Sequence, residues 1–224
     1  MNRRMLLAVA GWIAEQTGAS VGYLGEAANS VGAQLVGALP QQGGLNAAQM
    51  LSQSLKAYLL LNVEPELDAA DPNAALAALQ GAEMVVALSA FRTRAVEYAD
   101  VLLPIAPFSE TSGTFVNAEG RAQSFYGVVK PLGEARPAWK VLRVLGSMLG
   151  LQGFDFETSE EVKARALGDL AQLPARLSNR CDVAVQPAAA PGGIERIAEV
   201  PIYSTDPIVR RARSLQLTRD ARPP

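Results

Sequence analysis

The chain contains no histidine and a single cysteine, Cys181. The missing histidine excludes Ser–His–Asp and Cys–His catalysis and any two-histidine metal site. One thiolate cannot build a four-cysteine iron–sulfur site or a tetrahedral zinc site, and it cannot close an internal disulfide. Cys181 stands between Arg180 and Asp182, the polar setting of an unreactive thiol. Charge is also scarce: 19% of residues are charged, the net charge is -2 and the pI is about 5.3. That balance excludes a generally basic nucleic-acid binder. No apolar run reaches the roughly 20 residues needed to span a bilayer. The nearest imitation of a targeting segment is Asn2-Arg3-Arg4 followed by the apolar run 5–14. Glu15 and Gln16 end that run and no A-x-A site follows, so a globular helix over 3–17, closed by Gly18, is expected. Any chemistry must therefore use carboxylates, Lys, Arg, Tyr, hydroxyls or backbone groups, or belong to a partner or cofactor. No catalytic residue and no metal ligand is named from the sequence.

The 224 residues are 49% hydrophobic, but 38 of them are alanine, so large aliphatic side chains are sufficient for a core without being in excess. That composition also excludes an acidic disordered chain. Segment 20–24 (SVGYL) reads as a short strand, and 25–37 is polar and Gly-rich before turning helical. Segment 57–61 (AYLLL) is short, continuous and apolar, the mark of a buried strand. Asp71-Pro72 supplies an N-cap and a proline for the first helical position of 72–80, and Gly81 stops that helix. A second strand follows at 84–88, a short helix at 94–99 and a third strand at 101–103, stopped by Pro104. Strand, helix, strand, helix, strand with short connections predicts a Rossmann-like α/β fold, a parallel sheet with flanking helices.

In such a sheet ligands bind beyond the carboxyl ends of the strands. The loops there carry Asn29, Ser30, Asn62, Glu64, 89–93 and 105–113. Periodicity alone equally allows these polar residues to be ordinary caps and turns. The most informative stretch is 105–123, IAPFSETSGTFVNAEGRAQ. It predicts a strand at 114–116, a turn at 117–120 and a β excursion through Arg121, Gln123 and Phe125. Glycine among Ser, Thr and Asn can bring backbone N–H groups to a phosphate or a pterin-like ligand, or simply form a tight surface hairpin. Neither a phosphate-loop nor a dinucleotide glycine fingerprint is present. Glu110 and Glu119 could pair as acid and base only if the fold brought them together. Arg121 suits holding a carboxylate or phosphate better than chemistry.

Pro137 opens a helix over 138–149, with Trp139, Leu142, Leu145 and Leu149 on an apolar stripe and Lys140, Arg143 and Ser147 on a polar one. Trp139 reads as a core anchor rather than a ligand stacker. The motif 158–161 (TSEE) caps a further helix reaching about residue 170. The expected organisation is an α/β domain over 1–152, a helical segment over 153–185, and a linker with an extended tail over 186–224. The tail carries Arg196, Arg210, Arg211, Arg213, Arg219 and Arg222, a local excess that suits an acidic partner surface or a mobile end.

The segment 98–104 (YADVLLP) followed by GTFVNAEGRAQ resembles the molybdopterin oxidoreductase superfamily, with its "ADVVLP" strand and "E-x-x-GTF-x-N-x-EGR-x-Q" loop. With EAANSVGA, LLLNVEPELD, PLGEARPAWKVLRVLG and VPIYSTDPIVRR, the chain is similar to the C-terminal part of one family, the large iron–sulfur subunits of bacterial NADH:quinone oxidoreductase, respiratory complex I. The resemblance implies a structural and assembly portion of that large peripheral-arm subunit. It would sit on the cytoplasmic face of the inner membrane and support electron transfer from NADH to quinone. It implies no cofactor in this chain, with iron–sulfur clusters in an N-terminal region that has no counterpart here. The partners it implies are that region and other peripheral-arm subunits, with no nucleic acid and no membrane span. Glu110, Gly113, Thr114, Asn117, Glu119, Gly120, Arg121 and Gln123 match the family's loop, as keepers of its shape. If a molybdopterin were bound, they would be the first residues to touch it. That alternative makes the chain the cofactor-binding part of a molybdopterin-dependent oxidoreductase.

Overall fold

The computed structural model describes residues 3–25, 27–53, 55–179 and 201–221, with Arg3 and Arg4 as backbone only. In chain order the elements are α1 (Arg3–Thr17), α2 (Ser30–Leu35), α3 (Ala47–Ser52), β1 (Ala57–Leu61), α4 (Pro65–Asp68), α5 (Pro72–Gln80), β2 (Met84–Ser89), β3 (Val101–Pro104), β4 (Gly113–Val116), β5 (Ala122–Phe125), α6 (Ala138–Met148), α7 (Ser159–Leu167), α8 (Ile202–Thr205) and α9 (Arg213–Gln216). Their described residues group into two compact units. One draws on 1–44, 107–131 and 139–192, the other on 45–106, 132–138 and 193–224. Among the described residues no helix is long and apolar enough to cross a membrane.

The second unit holds the predicted parallel sheet, in the order β1-β2-β3. Asp71 caps α5 by accepting a hydrogen bond from Ala74 N at 3.0 Å, and Gly81 ends the helix. Along β1, Tyr58 and Leu60 turn inward and join Leu79 of α5 with Val85, Ala87 and Ala95 in one buried cluster. Tyr58 keeps its hydroxyl satisfied by donating to the carbonyls of Met50 and Gln53, which ties α3 to the sheet. Asp100, the aspartate of the YADVLLP motif, works as backbone does. Its carboxylate accepts from Val85 N at 2.7 Å and its own N–H donates to Val85 O at 2.9 Å. The motif's aspartate thus joins the start of β3 to β2. Pro104 does not stop β3 before itself. It pairs with Ser89 as the last residue of β3, and its carbonyl accepts from Arg136 N, so its missing N–H does not end the pairing there.

The opposite face of this sheet is only partly covered: Leu88 on it is 1% exposed and Val86 and Leu103 are half-buried, but other apolar side chains are more exposed. Leu59, Leu61, Met84 and Val101 share it by register and are 50%, 46%, 45% and 39% exposed. Parallel sheets are ordinarily covered on both faces.

The first unit packs Val116, Leu167 and Leu173 against Val31, Leu35 and Ala122. Helix α7 starts as expected, with Thr158 Oγ1 accepting from Glu161 N, but it ends at Leu167 because Gly168 takes a positive φ of 68°. Two further expectations fail here. Segment 20–24 is no strand: no neighbouring strand pairs with it, and Leu24 is 86% exposed. On α6, Leu149 lies beyond the last turn and is 66% exposed, whereas Gly146 is buried because a Cβ there would overlap the Phe154 ring. Cys181, Arg196, Arg222 and the linker 186–193 lie outside the described residues.

Candidate functional site

The eight matched loop residues fall on one β-hairpin and the turn before it. β4 and β5 pair antiparallel, with Gly113 opposite Phe125, Thr114 opposite Ser124, Phe115 opposite Gln123 and Val116 opposite Ala122. Gly113 lets the chain lie against the Phe125 ring, where a Cβ would come within 2.5 Å of Cζ. The Phe125 ring then stacks on Phe115 with centroids 5.3 Å apart. Thr114 Oγ1 lies 3.1 Å from Ser124 Oγ across the hairpin, and Ser124 also accepts from Lys163 Nζ. At the tip, Asn117 Oδ1 accepts from Glu119 N and Arg121 N at 3.0 and 2.9 Å, an Asx-type turn that fixes the loop. Gly120 has a φ of 81° and is buried, and a Cβ on it would meet the Pro174 backbone at 3.0 Å and Leu177. Glu119 and Arg121 are exposed at the tip, 3.9 Å apart, and Gln123 is exposed on β5.

Glu110 closes a short turn, residues 108–110, before β4, so the length of β4 stands between it and Glu119. The fold therefore does not build an acid–base pair from these two carboxylates. Gly127 crosses this turn closely, since a Cβ there would lie 2.8 Å from the Glu110 carbonyl carbon.

The hairpin is held from outside by Asn29. Its Nδ2 donates to Thr114 O at 3.2 Å and its Oδ1 accepts from Val116 N at 2.9 Å. One amide side chain thus stands in for a neighbouring strand along β4. A Cβ on Gly32, one turn along α2, would overlap Asn29 Oδ1, so that glycine makes the clamp possible. Beside it lies a cavity of about 240 Å³, lined by Asn29, Gly113, Thr114, Trp139, Ser159 and Lys163 among others. Trp139 is half-buried at this wall. Its Nε1 is buried without a hydrogen-bond partner, and Lys140 Nζ stands 5.3 Å from its ring centroid.

A second polar cluster sits in the other unit, at the carboxyl ends of β1 and β2. Asn62 takes a left-handed conformation, φ 51°, and turns the chain out of β1. Glu64 follows and is buried. Arg210 Nη2 donates to Glu64 Oε1 at 2.5 Å, and Arg211 Nη2 donates to both Glu64 oxygens at 2.8 Å. Asp68 takes Arg210 Nη1 on one oxygen, at 2.8 Å, and caps Glu64 N with the other. The Arg211 guanidinium lies 4.2 Å from the Phe91 ring centroid. Burial works against the Arg210 charge, but its bonds to Asp68 and Glu64 outweigh that and hold its pKa above the ordinary arginine value. Nearby, Tyr98 donates to buried Glu66 at 3.0 Å, and burial together with that bond raises its pKa well above the usual phenol.

The sequence marked Glu64 as a strand-end residue and the arginines as a basic tail, but not that they meet. They are 146 and 147 residues apart, and no local pattern links them. The tail's expected course along another protein surface, or as a mobile end, is corrected for 201–221. There, buried ion pairs fasten it to its own chain because a desolvated carboxylate requires a counter-charge.

The family described as "Molybdopterin oxidoreductase" matches residues 3–148. The chain is 33% identical over 132 residues to "Probable oxidoreductase YjgC" of Bacillus subtilis (strain 168), covering 57% of this chain and 13% of that protein. It is 40% identical over 74 residues to "Putative formate dehydrogenase SAB2186c" of Staphylococcus aureus (strain bovine RF122 / ET3-1), covering 33% of this chain and 8% of that protein. The chain thus spans a small fraction of the length of the relatives it matches. Among solved structures, acetylene hydratase from Pelobacter acetylenicus overlaps 60% of this chain and 19% of its own, at 20% identity and a TM-score of 0.49.

Proposed function

This chain belongs to the molybdopterin oxidoreductase family, and from that premise we propose that it works as one part of a larger oxidoreductase. Its own residues shape and join the assembly while the electron carriers sit elsewhere. One observation carries this reading. The family's loop residues use their bonding groups on the loop itself: Asn117 on its turn, Thr114 on Ser124, Gly113 against Phe125 and Gly120 against Pro174. Among the described residues, the buried polar side-chain atoms without a partner belong to Glu66, Trp139, Arg143 and Arg210, not to the hairpin. The loop therefore fits a shape-keeping role. The half-exposed Leu59, Leu61, Met84 and Val101 on one face of the parallel sheet support the same reading, since such apolar side chains suit a covering element.

One such assembly is NADH:quinone oxidoreductase, with this chain as the C-terminal portion of its large peripheral-arm subunit. It would sit on the cytoplasmic face of the inner membrane, beside the iron–sulfur region and other peripheral-arm subunits. Electrons would pass from NADH to quinone through clusters held outside this chain. What supports this is the sequence resemblance, which continues past residue 148 into VPIYSTDPIVRR, whose Arg210 and Arg211 pair with Glu64 at the strand ends.

A second reading has the stronger support from the similar proteins. The similar proteins carry the names of a probable oxidoreductase and putative formate dehydrogenases, which leans toward the cofactor-binding part of a molybdopterin-dependent enzyme. There the exposed Glu119, Arg121 and Gln123 would be the side chains free to face the pterin, and the bound group would supply the redox chemistry. The two readings separate in one preparation. The assembly is purified from its host through a C-terminal tag and assayed for NADH:quinone activity, molybdenum and pterin. Quinone reduction without molybdenum supports the first reading. Stoichiometric molybdenum and pterin would replace it with the second.

A further inference from the structure

The tail segment 201–221 lies beyond the family-matched residues, yet it makes the most buried ion pairs among the described residues. Its sequence explains its shape. Pro201 opens α8, and Asp206 Oδ1 then accepts from Ile208 N and Val209 N at 2.9 and 2.8 Å. That turn brings Arg210 and Arg211 round as neighbours. Gln216 of α9 donates to Tyr203 O and Val209 O and ties the two short helices together. The receiving side is equally prepared. Ser89 Oγ donates to Phe91 O and accepts from Phe91 N, which fixes the backbone that carries the ring. Asp68 braces the backbone of Glu64 from below.

Two carboxylates face two guanidiniums, so the cluster is charge-balanced: Glu64 and Asp68 against Arg210 and Arg211. Arg210 reaches Asp68 and Glu64 with two different nitrogens of one flat guanidinium, a planar geometry that an ammonium cannot reproduce, and the Arg211 guanidinium lies near an aromatic ring. We propose that Glu64, Asp68 and Phe91 form an arginine-binding site at the carboxyl ends of β1 and β2, whose occupant is this chain's own tail. The filled site closes to small ligands the end of the sheet where parallel α/β folds ordinarily bind them. The inference is independent of which oxidoreductase the chain serves. The class of molecule the site takes is a planar amidine or guanidinium.

The test uses the full chain and two readouts. First, amide hydrogen exchange is followed across 201–221 in the unmodified protein and in Arg210→Lys. The lysine keeps the charge but loses the fork, so exchange at 209–216 should rise by about tenfold, the loss of one charge-assisted hydrogen bond, while amides of β1 and β2 stay protected. Protection in the sheet shows that the variant is folded. Second, benzamidine binding is measured by saturation-transfer NMR on the unmodified chain, on Arg210→Ala/Arg211→Ala, and on that variant with Glu64→Gln. Benzamidine should bind the double-arginine variant and neither of the other two. Unchanged tail exchange in a folded Arg210→Lys overturns the proposal. So does equal benzamidine binding, or its absence, in all three proteins.

Discussion

The clamp between Asn29 and the hairpin can be tested through its dependence on Gly32. Asn29→Ala removes the acceptor of Val116 N–H, a residue 2% exposed, and the donor to Thr114 O. An unsatisfied buried N–H costs about 1–3 kcal/mol, so with the half-buried Thr114 carbonyl the loss should be about 2–3 kcal/mol. Gly32→Ala puts a Cβ where Asn29 Oδ1 stands, so Asn29 must swing away and the same bonds are lost, again about 2 kcal/mol. With Asn29 already truncated, the three atoms nearest the new methyl are gone. The alanine then recovers the roughly 0.5–1 kcal/mol by which it exceeds glycine inside a helix. The double variant should therefore be more stable than either single one, about 1–2 kcal/mol below the unmodified chain. Urea unfolding followed by tryptophan fluorescence measures all four proteins. Simple additivity, with the double variant about 4 kcal/mol below the unmodified chain, would refute the reasoning.

Other substitutions test the remaining contacts. Glu64→Gln leaves Arg210 paired with Asp68 alone. Because Asp68 stays and Arg211 is partly exposed, we expect the lower end of the range for breaking a buried pair, about 3 kcal/mol by urea unfolding. Asn117→Ala should cost about 1–2 kcal/mol in thermal unfolding through its two lost N–H partners, and Gly120→Ala at least as much, from its positive φ and the approach to Pro174. Tyr98 has its pKa raised in the folded state. Its contribution is complete below the ordinary phenol value of about 10 and is lost as pH climbs through the folded value. The melting temperature should therefore fall at alkaline pH, and Tyr98→Phe should flatten that fall while lowering stability at neutral pH.

The parts of the fold legible in the sequence are those built from neighbouring residues. The apolar run at 57–61, the Asp71-Pro72 cap and Gly81 each act within a few positions, and each stands where expected. The turn at 117–120 was legible for the same reason, since Asn117 bonds its own loop. Segment 20–24 misled because β-forming side chains describe a strand's preference and say nothing of a partner, and here there is none. The roles of Asn29 and of the two arginines were hidden because their partners lie more than 80 residues away. A buried Glu64 looks like any polar strand end until the fold brings the tail to it.

The central claim is that this chain acts inside a larger oxidoreductase, and the intact mass of the native particle tests it most directly. With a C-terminal tag at the native locus, the account expects the chain's sequence in an assembly several-fold heavier than 23.6 kDa, with other oxidoreductase polypeptides co-purifying. A particle of 23.6 kDa with no such companions would contradict it.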